Sequence, residues 1–102
     1  MSLDLIFKAL GDSTRRKILR LLAEKDMTAG EIVSKFDLSW STISHHLEVL
    51  KSSGLITSEK QGQYIIYSIN TTVFQELILW ILESIGKNKE DSDRDESPVQ
   101  SK

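Results

Sequence analysis

The stretch Ser39-Trp-Ser-Thr-Ile-Ser-His-His-Leu-Glu-Val-Leu-Lys-Ser-Ser53, closed by Gly54, runs into Leu55-Ile-Thr-Ser-Glu-Lys60, Gln61-Gly-Gln63 and Tyr64-Ile-Ile-Tyr-Ser-Ile69. In its first part Ile43, Leu47 and Leu50 recur at helical spacing and mark a buried stripe. Ser39 is a good N-cap and Gly54 a good stop, so a helix is expected from Ser39 to about Ser53. The period then changes. Residues 55–60 and 64–69 are rich in β-branched and aromatic side chains and read as two strands, with Gln61-Gly62-Gln63 as the turn between them.

Upstream, Leu3, Ile6, Phe7 and Leu10 share one face of a first helix that Gly11 ends. Asp12 or Ser13 can cap a second helix, with Ile18, Leu21 and Leu22 facing inward and Leu19 nearby. Thr28-Ala-Gly-Glu31 is a capping box, in which a hydroxyl binds the N3 amide and the glutamate reaches back. It opens a short third helix burying Ala29, Ile32, Val33 and Phe36, and Asp37-Leu38 forms the turn into the Ser39 helix. Downstream, Asn70 or Thr71 can cap a fifth helix from about Thr72 to Ile85. The expected order is α-α-α-α-β-β-α, mainly α with a small β-hairpin. Two short helices joined by a tight turn and followed by a hairpin point to a winged helix-turn-helix.

With 102 residues the chain has room for one compact domain. We place that domain at residues 1–86. Residues 87–102 are charged, serine-rich and free of aromatics, and hold the single proline, Pro98. Such a segment cannot bury enough apolar surface to offset its ordering entropy, so a disordered tail is expected. No run of apolar residues approaches the length of a membrane span, and MSLDLIFKAL lacks the pattern of a signal peptide. The absence of cysteine excludes disulfides, thiolate metal sites and thiol catalysis, and fits a cytoplasmic protein. Two adjacent histidines, with no glycine-rich phosphate loop and no converging carboxylates, offer nothing to an enzyme. Ser44 and His45 are helix neighbours pointing in different directions, not a nucleophile and its base. No cofactor is expected.

Residues 1–86 carry 9 basic and 10 acidic side chains, so the acidic balance does not come from the tail. Any DNA affinity must therefore come from a local patch. Trp40, Ser41, Thr42, Ser44 and His45 lie off the Ile43/Leu47/Leu50 stripe and cluster at the helix N-terminus. That end contacts base edges in helix-turn-helix docking. Ser and Thr hydroxyls bond bases or phosphates, imidazole can donate to a purine N7 or O6, and a Thr methyl can meet thymine. Lys60, beside the flexible Gln-Gly-Gln turn with Gln63, can reach the neighbouring DNA backbone or minor groove. Arg15, Arg16, Lys17 and Arg20 form the densest cationic run. They could touch phosphates or pair with carboxylates such as Asp12 and Asp26, and we expect pairing for at least one. His46 turns partly toward the core and reads as a packed, hydrogen-bonded histidine. The other reading of the whole surface is a protein-interaction module without DNA binding, which the acidic balance favours.

Four segments together carry a family pattern: Phe7-Lys-Ala-Leu-Gly-Asp-Ser-Thr-Arg-Arg-Lys-Ile-Leu19, Thr28-Ala-Gly-Glu-Ile32, Ser41-Thr-Ile-Ser-His-His-Leu47 with Leu50-Lys51, and Gly62-Gln-Tyr-Ile-Ile-Tyr-Ser68. The chain resembles the ArsR (arsenical-resistance repressor) family over residues 3–86. Within it, the Gly-Gln wing, Asn70-Thr-Thr72 and the tryptophan of the last helix are similar to the SdpR-type autorepressors. The resemblance implies a cytoplasmic, homodimeric repressor that leaves its double-stranded DNA operator when an inducing signal arrives. Ser13 stands where the family usually has proline, and Gln63 where many members carry a wing arginine. The cysteine positions of the family's metal sensors correspond to Thr28 and Gly30. On the last helix, Glu76 and Glu83 lack a histidine one turn away. Transition metals need converging N or S donors, so metal sensing is not expected. An organic inducer, a sequestering protein or autoregulation without a ligand remain open.

The fifth helix is over-supplied with apolar residues: Val73, Phe74, Leu77, Ile78, Leu79, Trp80, Ile81, Leu82 and Ile85 extend well beyond one face. Surface of that kind usually marks an interface. With Leu3, Leu5, Ile6 and Phe7 of the first helix, it suggests a homodimer. We expect Leu3, Leu5, Phe7, Phe74, Leu77, Ile78, Trp80, Ile81 and Ile85 at the twofold contact. The alternative is a single monomeric core that absorbs both helices.

Overall fold

The computed structural model describes the backbone of residues 1–95 and the side chains of residues 1–86. The elements are α1 (Leu3–Leu10), α2 (Ser13–Glu24), β1 (Met27–Thr28), α3 (Ala29–Val33), α4 (Trp40–Ser53), β2 (Ile56–Gln61), β3 (Tyr64–Ile69) and α5 (Thr71–Asp95). This is a winged helix-turn-helix. Its sheet has three antiparallel strands in the order β1-β3-β2 rather than the two of the expected hairpin. The extra strand is short: Met27 pairs with Tyr67 and Thr28 with Ile66. Two residues carry no periodicity, so nothing local distinguishes them from a loop.

Each of the five helices begins on a polar side chain that accepts an otherwise orphaned amide. Ser2 caps α1, Asp12 α2 and Ser39 α4, through the amides of Leu5, Arg15 and Thr42. Asn70 Oδ1 accepts from Val73 N at 3.4 Å at the start of α5. At α3 both halves of the capping box form: Glu31 N donates to Thr28 Oγ1 at 3.1 Å, and Thr28 N to Glu31 Oε1 at 2.9 Å. That second bond is the main reason the Glu31 carboxyl titrates below its usual range. Thr28 thus ends β1 and starts α3, tying the helix-turn-helix to the sheet.

The core consists of Ile6 and Ala9 of α1, Ile18, Leu19 and Leu22 of α2, Met27, Ile32 of α3, Ile43, Leu47 and Leu50 of α4, Leu55, Ile56 of β2 and Leu77 of α5. Ala29, Val33 and Phe36, expected to be buried, are only partly covered at its margin. The corner after α4 is tightly specified. Gly54 sits at φ 86°, a left-handed conformation that favours glycine. Beside it the buried Ser53 hydroxyl donates to Leu50 O at 2.7 Å and accepts from Leu55 N at 3.2 Å. Asn70 N then donates to Leu55 O, bringing the start of α5 to the same corner.

In the wing, β2 and β3 pair in register from Ile56 with Ile69 to Gln61 with Tyr64. The loop is Gly62-Gln63, with Gly62 at φ 63°, the positive value that tight hairpins demand at the first turn position. Two elements differ in their boundaries from the sequence reading. The first strand of the hairpin ends at Gln61 rather than Lys60, shortening the turn to two residues. Helix α5 continues to Asp95, past the Ile85 where its apolar pattern ends. Residues 87–95 contain neither proline nor glycine, so no residue there breaks the helix. The remainder of the expected tail, 96–102, lies outside the described residues.

Candidate nucleic-acid interface

Helix α4 presents two faces because its sequence has two chemistries. Ile43, Leu47 and Leu50 are buried, whereas Trp40, Ser41, Ser44, His45 and Glu48 are exposed. Ser41, Ser44, His45 and Glu48 recur at i, i+3, i+4 and i+7, so they share one stripe. The N-cap hydroxyl of Ser39 gathers its neighbours: it lies 3.1 Å from Ser41 Oγ and donates to Thr42 Oγ1 at 2.9 Å. Three hydroxyls therefore stand at the positive end of the helix dipole, where amides and hydroxyls together suit a phosphate or a base edge. Among the described residues, Ser44 and His45 make no side-chain hydrogen bond, so their donors and acceptors face solvent.

Glu48 escaped the sequence reading. Its signal was the i+4 spacing from Ser44, on a stripe read only as far as His45. A carboxylate there repels phosphate but can accept from a cytosine N4. It also borders a cleft of ≈ 160 Å³ between α1 and α4, lined by Leu5, Lys8, His45, Glu48, Val49 and Ser52.

Trp40 and Gln63 come together. Both line an open groove of ≈ 290 Å³ between α3 and the wing, with Gly30, Tyr64, Ile65 and Tyr67 among its walls. The Trp40 indole reaches over Gly30, where a Cβ would sit 3.5 Å from its ring. Tyr67 in the same groove titrates above the usual phenol range because it is partly buried, with Glu48 adding to the effect. Lys60 stands exposed on β2 opposite Ile65.

Two of the four cations of the α2 run, Arg15 and Arg16, are engaged within the chain. Arg15 Nε donates to Ala9 O at 2.9 Å and its Nη2 to Lys8 O at 3.0 Å, while Arg16 Nη1 donates to Leu10 O at 2.7 Å. The expected carboxylate pairing is thus corrected. Among the described residues Arg15 and Arg16 bind the orphaned carbonyls at the end of α1, which carry the negative end of a helix dipole, and neither makes an ion pair with a carboxylate. Arg15 Nη1 also donates to His46 Nδ1 at 3.1 Å. Since arginine has no acceptor, this bond requires a neutral His46 with its proton on Nε2. Burial holds His46 below the ordinary imidazole range, against the pull of Asp12 Oδ2 at 3.9 Å. The Asp12 carboxyl is itself lowered, chiefly by the amide of Arg15. His46 is the packed histidine the sequence suggested.

The apolar face of α5 remains largely uncovered. Ile78, Leu79, Trp80, Ile81, Leu82 and Ile85 are exposed, and so are Leu5 and Phe7 on α1. Phe7 and Trp80 touch edge to face. Leu3 and Phe74 are partly buried against the core. Leu77 is corrected: at 6% exposure it belongs to the chain's own core, because it projects from the side of α5 that packs inward.

The model of the bacterial regulatory proteins of the arsR family matches residues 12–58, from the cap of α2 into β2. The transcriptional repressor SdpR of Bacillus subtilis is 51% identical over 86 residues, covering 84% of this chain and 96% of that protein. The chain belongs to the arsR family. Among solved structures, an ArsR-like transcriptional regulator from Rhodococcus superposes on this arsR-family regulator with a TM-score of 0.78. It is 28% identical and covers 96% of this chain and 94% of its own. A homodimeric winged helix-turn-helix DNA-binding domain from Mycobacterium bovis superposes with a TM-score of 0.67. It is 26% identical and covers 87% of this chain and 82% of its own. These relatives are regulators of transcription, not enzymes. Among the described residues, no helix is long and apolar enough to cross a membrane.

Proposed function

We propose that this arsR-family regulator is a transcriptional repressor that binds an inverted-repeat operator in double-stranded DNA as a homodimer. The observation that carries the reading is the stripe of Ser41, Ser44 and His45 at the solvent-facing N-terminal half of α4, next to a wing. In this reading Ser44 and His45 meet base edges, Ser41 and Thr42 meet bases or phosphate, and Trp40, Lys60 and Gln63 contact the adjoining backbone. The resemblance to SdpR, a transcriptional repressor, supports repression over activation.

The uncovered apolar residues of α1 and α5 support a twofold contact, as does the homodimeric Mycobacterium bovis neighbour. Two α4 helices would then address half-sites about one DNA turn apart, ~34 Å. Doubling the surface also offsets the weak charge of each protomer. The protein works in the cytoplasm, where its operator lies.

The release signal is not a transition metal in this reading. Thr28 already spends its hydroxyl on the α3 cap, and Gly30 has no side chain to offer. An organic inducer or a sequestering protein fits the residues better.

Fluorescence-anisotropy titration against the DNA upstream of its gene, at two salt concentrations, tests the proposal. Saturable binding at two protomers per site, tighter than to random competitor, is the expected result. Equal binding to random DNA would instead favour a protein-interaction module, with Ser44→Ala and His45→Ala then leaving its function unchanged.

A further inference from the structure

We propose that Arg15 is a positioning residue for operator recognition, setting the angle of α4 against α1 and so linking the exposed face of α1 to the base-reading stripe. The inference rests on the DNA-binding reading given above and goes beyond it. It assigns no DNA contact to Arg15.

The argument starts from donor geometry. A guanidinium has five N–H donors in one rigid plane. Three atoms of Arg15 divide them among three partners: Nε to Ala9 O, Nη2 to Lys8 O, and Nη1 to His46 Nδ1. Two of these partners end α1 and the third lies on α4, between His45 and Leu47. The backbone of Arg15 is fixed as well, since its amide donates to Asp12 Oδ2 at 3.0 Å. One residue of α2 therefore sets the relative placement of two other helices. Lysine cannot replace it, because an ammonium is a point charge without a planar fork.

Both ends of the link matter to the proposed function. Its α1 partners follow Phe7 and lie within one turn of Leu5, both exposed at the proposed dimer face. His46 is flanked by His45 on the recognition stripe. A tilt of α1 on dimer formation would reach α4 through Arg15, and the reverse. The charged groups around His46 are Asp12 and Arg15 from α2 and His45 on α4, while Lys8 of α1 borders the adjoining cleft with His45. Protonating Nδ1 removes the acceptor that Arg15 needs and sets two cations face to face, so the link opens in acid.

The test uses the full-length chain with a DNA duplex from upstream of its own gene. The ¹⁵N spectrum of the imidazoles should show His46 with a bare Nδ1 and protonated Nε2 at about pH 8, and Arg15→Gln should perturb that signal. Arg15→Gln and Arg15→Lys should both weaken operator binding on the order of 2- to 30-fold, with the protein still folded by circular dichroism. His46→Asn, whose carboxamide oxygen can accept from Arg15, should retain affinity, whereas His46→Leu should not. As pH falls below about 6.5 and on through the lowered titration range of folded His46, the wild type should lose affinity relative to His46→Asn, a comparison in which His45 is common to both.

An Nδ1–H tautomer for His46 would overturn the proposal. So would full affinity in folded Arg15→Gln, or His46→Asn behaving like His46→Leu. If the wild type binds no operator, the recognition role falls with the DNA-binding reading. The imidazole spectrum then tells that failure apart from a link that never formed.

Discussion

Phe7 and Trp80 meet with ring centroids 6.1 Å apart and planes inclined at 61°, the edge-to-face arrangement that aromatic quadrupoles prefer. The contact brings exposed residues of α1 and α5 side by side within one chain. Yet Phe7 and Trp80 remain 47% and 40% exposed. In the proposed dimer, a second copy would cover an aromatic pair that is already oriented.

Trp80→Ala is expected to weaken the dimer by about 2 kcal/mol, roughly 30-fold, as loss of a central aromatic anchor does. Sedimentation equilibrium reads this directly. Operator affinity should fall with the dimer and recover at high protein concentration, a recovery Ser44→Ala would not show. An unchanged dimer constant would move the interface away from α5.

Leu77 and Ile78 make the complementary case. Leu77→Ala opens a cavity in the protomer core and should cost about 2–5 kcal/mol of folding stability. Ile78→Ser removes an exposed side chain and should leave the isolated fold within about 0.5 kcal/mol while weakening association. Urea melts at several protein concentrations separate the two effects. Equal losses for both variants would contradict the division.

Most of this architecture was readable from residue types. The Ile43/Leu47/Leu50 stripe, the Ser39, Thr28 and Asn70 caps and the Gly54 stop are local signals, each decided within one or two helical turns. What escaped depends on tertiary neighbours. The pairing of Met27 with Tyr67 spans forty residues, and no pattern in two residues announces it. Arg15 and Arg16 were visible as cations, but all their partners save His46 are carbonyls, which every residue carries and no composition reveals. Leu77 and Ile78 are adjacent and chemically alike, so packing alone assigns one to the core and the other to the surface. On the recognition stripe, the hydroxyls and His45 were legible from their types, while Glu48 was passed over because an acidic residue does not suggest DNA.

Stability should fall in two separate pH windows. His46 is held below its ordinary 6.5 in the folded chain, so the unfolded chain binds the proton more readily. The penalty sets in as pH drops below 6.5 and is complete below the folded value. Asp12 is lowered from 3.8, so its contribution is present above 3.8 and is lost as pH falls through its folded value. His46→Asn should flatten the upper window and only narrow the lower one, because the Arg15 amide lowers Asp12 more than His46 does. Urea midpoints between about pH 8 and about pH 3 would show it, and an unaltered upper slope in the variant would assign that window elsewhere.

Ser41, Ser44 and His45 offer donors and acceptors, and Glu48 on the same stripe adds a carboxylate. Near DNA a carboxylate weakens binding to every sequence through phosphate repulsion. It improves binding selectively where it accepts from a cytosine N4, a match worth about 1–3 kcal/mol of discrimination. Glu48→Gln should therefore tighten binding to random duplex while narrowing the gap between operator and random DNA. Ser44→Ala and His45→Ala should instead each cost about 1–3 kcal/mol at the operator and change random binding little. Competition titrations with operator variants, one base pair at a time, locate the cytosine as the position where wild type discriminates and Glu48→Gln does not. If Glu48→Gln tightens operator and random DNA by the same factor, the carboxylate only repels, and specificity rests on the hydroxyls and the imidazole alone.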